Sequence, residues 1–112
     1  MGHLINSILF SLFCFQFFFN PIVYHPQKVI LFGSLVEGSI DDSSDIDLFV
    51  IKDDVPKRRH DRTYELDKLI HRTKATDYLV YTSEEVQSRL SKGDLFVKDI
   101  LENGKVLYEQ AV

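Results

Sequence analysis

Lys28-Val-Ile-Leu-Phe-Gly-Ser34 and Ser44-Asp-Ile-Asp-Leu-Phe-Val-Ile51 are the two stretches on which the reading of this chain turns. The first is a short apolar run that stops at Gly-Ser, the pattern of a buried strand followed by a turn. Ser34 to Glu37 then opens a helix with Ser34 near its N-cap, and Gly38 to Ser44 is a polar loop. Asp45 to Ile51, rich in Ile, Leu, Phe and Val, is a second strand. Asp45 and Asp47 lie two residues apart on it, and side chains alternate across a strand, so both carboxylates share a face. Carboxylates that close repel, and both stay ionised only with a cation between them. Mg²⁺ suits the position, because it takes one or two carboxylates and keeps sites for water and phosphate.

Asp77 opens a third apolar run, Thr76 to Tyr81. If that strand lies beside the second, Asp77 completes a three-carboxylate cluster of the kind that two-metal phosphoryl transfer requires. An isolated Asp-x-Asp at a strand end is more often a solvated loop feature. Here, however, a strand, Gly33-Ser34 and a helix start lie upstream, and that order presents backbone N–H groups to a phosphate. Other loops fail on spacing. In a calcium loop beginning at Asp41, Ile46 stands at the glycine position and Lys52 at that of the bidentate glutamate. The chain contains neither Gly-x-x-x-x-Gly-Lys nor Gly-x-Gly-x-x-Gly.

The rest of the chain supplies the frame. After Pro56 a helix is expected to about His71, with Tyr64, Leu66, Leu69 and Ile70 facing inward. Thr82-Ser-Glu-Glu85 is a capping box starting a helix to about Leu90. Asp94 to Glu102 is a last helix, stopped at Asn103-Gly104, and Lys105 to Glu109 a final strand. Alternating strands and helices without an internal repeat give an α/β (α+β) class, a small mixed β-sheet flanked by helices. Lys57, Arg58, Arg59 and Arg62 read as a solvated helix face paired with Asp61 and Glu65, or as contacts to a triphosphate or an acidic partner. His3, His25, His60 and His71 show no ligand spacing. Ser83 reads as part of a helix start, and Tyr24, Tyr78 and Tyr81 as packing residues.

With 112 residues the chain forms one domain with a small core. Its net charge of −4 argues against a nucleic-acid coat, so no direct nucleic-acid partner is expected. Cys14 alone excludes an internal disulfide framework and a cysteine-rich zinc site. All Lys, Arg, Asp and Glu lie from Lys28 onward, while six of the nine Phe fall between Phe10 and Phe19. The apolar run Leu4 to Phe19 would span roughly 24 Å as a helix, short of the ~30 Å hydrocarbon core, so no membrane span is expected. It lacks a basic start and a small-residue cleavage site, so it does not read as a signal peptide. A packing helix, a membrane-associated segment and a segment without function remain as readings of it. A cytoplasmic domain favours the first, as a surface for a homo-oligomer or a partner.

Taken together, Leu31-Phe-Gly-Ser-x-x-x-Gly38 and Ser44-Asp-Ile-Asp-Leu48 resemble the signature of the DNA polymerase β-type nucleotidyltransferase superfamily. The small size, and the tail Ile100-Leu-Glu-Asn-Gly-Lys-Val-Leu-Tyr108, resemble its minimal nucleotidyltransferase (MNT) domains. The similarity divides the chain into an atypical apolar segment, 1–23, and a nucleotidyltransferase-like domain, 24–112. It implies that Gly33 and Ser34 bind the triphosphate of ATP or another nucleoside triphosphate. It implies too that Asp45 and Asp47, joined by Asp77, serve as catalytic carboxylates and hold two Mg²⁺ ions. Many such domains are antitoxins to a HEPN-type toxin protein, and some move AMP from ATP to a toxin tyrosine. The expected activity is therefore Mg²⁺-dependent nucleotidyl transfer to a protein hydroxyl, with a non-catalytic binding antitoxin or a degenerate copy as the alternative.

Overall fold

The computed structural model describes residues 24–33, 46–69 and 76–110. The apolar N-terminal segment, the helix start at Ser34 and the loop ending at Asp45 lie outside the described residues. Four strands follow the apolar runs: β1 Lys28–Phe32, β2 Ile46–Ile51, β3 Thr76–Tyr81 and β4 Lys105–Glu109. Three helices lie between them: α1 Arg59–Leu69, α2 Ser83–Ser91 and α3 Leu95–Asn103. The strands form one mixed sheet in the order β3-β2-β1-β4. β1 is antiparallel to both β2 and β4, and β2 is parallel to β3. A parallel pair needs a crossover, and α1 lies within the segment that supplies it.

The two central strands bury side chains on both faces, as their near-continuous apolar sequence requires. On one face Val29, Leu48, Val50, Tyr78 and Val80 pack with Tyr24 and with Leu66 of α1. On the other Ile30, Phe49 and Tyr81 pack with Val86 of α2 and with Val97 and Ile100 of α3. The sheet is thus sandwiched, with α1 on one side and α2 and α3 on the other. Burying Phe49 or Ile30 fully stabilises the fold by about 2–3 kcal/mol each.

α1 departs from expectation. Tyr64 is 56% exposed, whereas Leu66 is fully buried and Arg62 is only 3% exposed. Arg62 and Leu66 stand four residues apart, so they share a helix face, and Tyr64 points well away from it. Arg62 is therefore part of the interior rather than a solvated face. Its Nη1 donates to Glu85 Oε1 at 2.6 Å and to the Val80 carbonyl at 3.0 Å. Nε donates to the Pro56 carbonyl at 2.6 Å, and Nη2 to the Lys57 carbonyl at 3.2 Å. The ion pair runs to α2, not to Asp61 or Glu65.

α2 begins with the expected capping box. Thr82 Oγ1 accepts from the Glu85 N–H at 3.1 Å, and Glu85 Oε1 accepts from the Thr82 N–H at 2.8 Å. Beside it, Asp53 accepts from the Ser83 N–H at 2.7 Å and from Gln27 Nε2 at 3.0 Å. Ser83 is thus the first residue of a helix, held by its backbone. Tyr24, Tyr78 and Tyr81 are buried packing residues, and His25 and His60 are exposed.

Candidate active site

Strand register brings the acids together. Asp47 of β2 is paired directly with Asp77 of β3, and on its other side with Phe32 of β1. Directly paired residues project from the same face, so Phe32, Asp47 and Asp77 form a row across three strands. Alternation along the strands puts that row on the face covered by α2 and α3, together with Phe49 and Tyr81. Asp45 and Ser34 lie outside the described residues.

Gly33 closes the row at the end of β1. Its φ of +84° is one that L side chains rarely adopt. A Cβ there would collide with Asp47 Oδ2. The glycine therefore has two reasons to be glycine: the turn needs the left-handed backbone, and the Asp47 carboxylate occupies the space beside its α-carbon. The turn and the acid are one unit, because neither tolerates bulk without moving the other.

Asp47 and Asp77 open into a cleft of about 580 Å³, lined also by Phe32, Thr63, Asp67, Tyr78, Leu79 and Phe96. Thr63 and Asp67 come from α1 and Tyr78 from the α1 face, so the lining draws on both faces of the sheet. Asp67 is a carboxylate of this cleft that sequence reasoning passed over; its only signal was the helical spacing from Thr63. Among the described residues no three His, Cys, Asp or Glu side chains stand close enough to hold a metal ion together. Asp47 and Asp77 fit a hard divalent cation in their donor chemistry and shared face.

Two carboxylates whose titration is shifted lie away from this cleft, and the causes are structural. Hydrogen bonding from Arg62 holds Glu85 below the usual carboxylate range, and the Thr82 N–H adds to it against the opposing effect of burial. The Ser83 N–H lowers Asp53 in the same way, helped by Gln27. Burial raises the Tyr24 hydroxyl far above its ordinary value, with the Glu65 charge adding to the effect and Arg62 opposing it.

Comparison with known proteins bears on the fold and the family. No curated protein matches the chain. Among solved structures, a candidate nucleotidyltransferase from Sulfolobus solfataricus superposes with a TM-score of 0.51 at 23% identity. The match covers 76% of this chain and 65% of that protein, so the chain spans about two thirds of its length. At that identity the likeness speaks for the fold. Among the described residues no helix is long and apolar enough to cross a membrane. The family model for polymerase β-type nucleotidyltransferases matches residues 22–111, most of the chain and all of the sheet. On that match, the chain belongs to the polymerase β nucleotidyltransferase family.

Proposed function

We propose that the protein transfers a nucleoside monophosphate from a nucleoside triphosphate, ATP in the first instance, to a protein hydroxyl. The observation that carries this reading is the direct Asp47–Asp77 pairing, with the Gly33 turn packed on the Asp47 carboxylate in one open cleft. In this reading the turn at Gly33 and Ser34 receives the triphosphate through backbone N–H groups and a hydroxyl. Asp77, which is exposed to solvent, takes the acceptor's O–H proton. The acceptor oxygen bonds to the α-phosphorus, and the P–O bond to pyrophosphate breaks, the leaving oxygen carrying away the electron pair. Asp45, Asp47 and Asp77 would hold Mg²⁺, which when bound neutralises charge on the polyphosphate and the carboxylates together.

That the acceptor is a protein, and specifically a HEPN-type toxin, rests on the likeness to minimal nucleotidyltransferase domains. Incubation with labelled ATP, Mg²⁺ and the product of the neighbouring gene tests it. Label on that protein, absent with Asp45→Asn/Asp47→Asn, is the expected result. Neutralisation of the partner that survives the double substitution, with no label transferred, would sink catalysis in favour of simple binding.

A further inference from the structure

Exposed apolar side chains are ordinary on a protein surface, and Leu95 (76% exposed) has no visible function. Its neighbour Phe96 is different because of where it stands. Phe96 is 53% exposed and lines the cleft that holds Asp47 and Asp77. Its ring meets Phe32 edge-on, with centroids 5.8 Å apart and planes at 84°. Phe32 is the direct cross-strand neighbour of Asp47, so the order across this face is Phe96, Phe32, Asp47, Asp77.

The backbone that carries the ring is fixed. Asp94 Oδ1 accepts from the N–H groups of Phe96 at 3.0 Å and Val97 at 3.1 Å, capping α3. Val97 and Ile100 are buried and hold the helix to the sheet. An apolar ring held this firmly, half in water, beside a carboxylate row offers a flat face to a flat partner and loses little entropy when covered.

We propose that Phe96 is the stacking platform for the base of the bound nucleotide, a nucleotide-binding residue outside the Gly-Ser and Asp-x-Asp motifs. The inference rests on the nucleotidyltransferase reading above and names the part of the site that separates a nucleotide from a bare polyphosphate. Every base has a π face, so stacking favours nucleotides over inorganic phosphates without selecting strongly among bases.

The test compares ATP with inorganic tripolyphosphate, both with Mg²⁺, by titration calorimetry on the full chain. Phe96→Ala and Phe96→Leu are expected to weaken ATP binding about 10- to 100-fold and to leave tripolyphosphate binding unchanged. Phe96→Tyr should bind both as the wild type does. The chain contains no Trp, so Phe96→Trp introduces a single indole at the platform. Its fluorescence should be quenched by ATP and not by tripolyphosphate. If Phe96→Ala fails to fold, Phe96→Leu keeps the apolar volume and decides the matter. Wild-type affinity of Phe96→Leu for ATP, or equal weakening of both ligands, overturns the proposal. So does wild-type protein that binds tripolyphosphate as tightly as ATP, an outcome that leaves the nucleotidyltransferase reading standing. Binding of neither ligand overturns both.

Discussion

β2 and β3 run side by side in the same direction, and acids gather at both of their ends. At the carboxy-terminal end two acids have partners supplied by the fold. Asp53 accepts from the Ser83 N–H and Gln27, and Glu85 accepts from Arg62 and from the Thr82 N–H. At the amino-terminal end Asp47 and Asp77 stand directly opposite each other across the strand pair and line a cleft. Like charges opposite one another across a strand pair destabilise a sheet, by about 0.2–1 kcal/mol. At one end the carboxylates hold α1, α2 and the sheet together; at the other two acids lie side by side where they line an open cleft. The two ends should therefore respond to mutation in opposite currencies, stability at one and transfer at the other.

The sharpest contrast comes from Arg62. Arg62→Ala strands the Glu85 carboxylate and three backbone carbonyls, and should destabilise the protein by about 3 kcal/mol. Arg62→Lys should recover little, because an ammonium cannot reproduce the planar fork. Urea unfolding measures both. A loss for Arg62→Ala within error of zero would break the assignment of this end to stability. At the other end, Asp47→Asn or Asp77→Asn should each lower nucleotidyl transfer roughly 100-fold, the size seen when a preorganised charge-stabilising group is lost. Their stability should stay within about 1 kcal/mol of the wild type, shifted if anything upward as the repulsion is relieved. A large loss of stability would mean that these acids are structural too.

Gly33→Ala links the two kinds of effect. The positive φ penalises any L side chain by about 1–2 kcal/mol. The new methyl group also displaces the Asp47 carboxylate, so triphosphate binding should weaken in the same variant. Melting and nucleotide titration on one preparation check the pair. A variant that lost stability but kept full nucleotide affinity would separate the turn from the acid.

How far these ends could be read beforehand depends on whether their signals are local. β1, β3 and β4 begin and end where apolar runs and turn residues place them, because period-two burial and Gly or Asn-Gly punctuation act within a few residues. The Thr82–Glu85 capping box was legible for the same reason, as both partners lie in one turn. The carboxylate pair needed one further step, the adjacency of β2 and β3, which no local pattern encodes and which the register supplies. No local pattern points Arg62 inward, because its partners Val80 and Glu85 are far along the chain. The helix is largely polar, and hydrophobicity alone points Tyr64 inward, whereas the fold buries Leu66 and exposes Tyr64. Phe96 carries no motif; only the pairing of Phe32 with Asp47 places it beside the acids.

The smallest effect distinguishes the ends by pH. Glu85 titrates below its ordinary 4.5 in the folded protein, chiefly through Arg62, and Asp53 below its ordinary 3.8, chiefly through the Ser83 N–H. As pH falls through those ordinary values the unfolded chain takes up protons before the folded one does. Stability contributed by these groups is therefore complete above about pH 5 and is lost as pH falls through the folded values. Both groups are in contact with solvent, so their combined contribution to an acid limb should be under about 1 kcal/mol. Urea midpoints between pH 7 and pH 3 should be flat and then fall in the wild type. Glu85→Gln/Asp53→Asn should start lower at pH 7 and fall less steeply below pH 4.5. If the double variant keeps the full wild-type slope, the acid sensitivity arises elsewhere, and the carboxy-terminal end loses its claim to be the set of carboxylates the fold depends on.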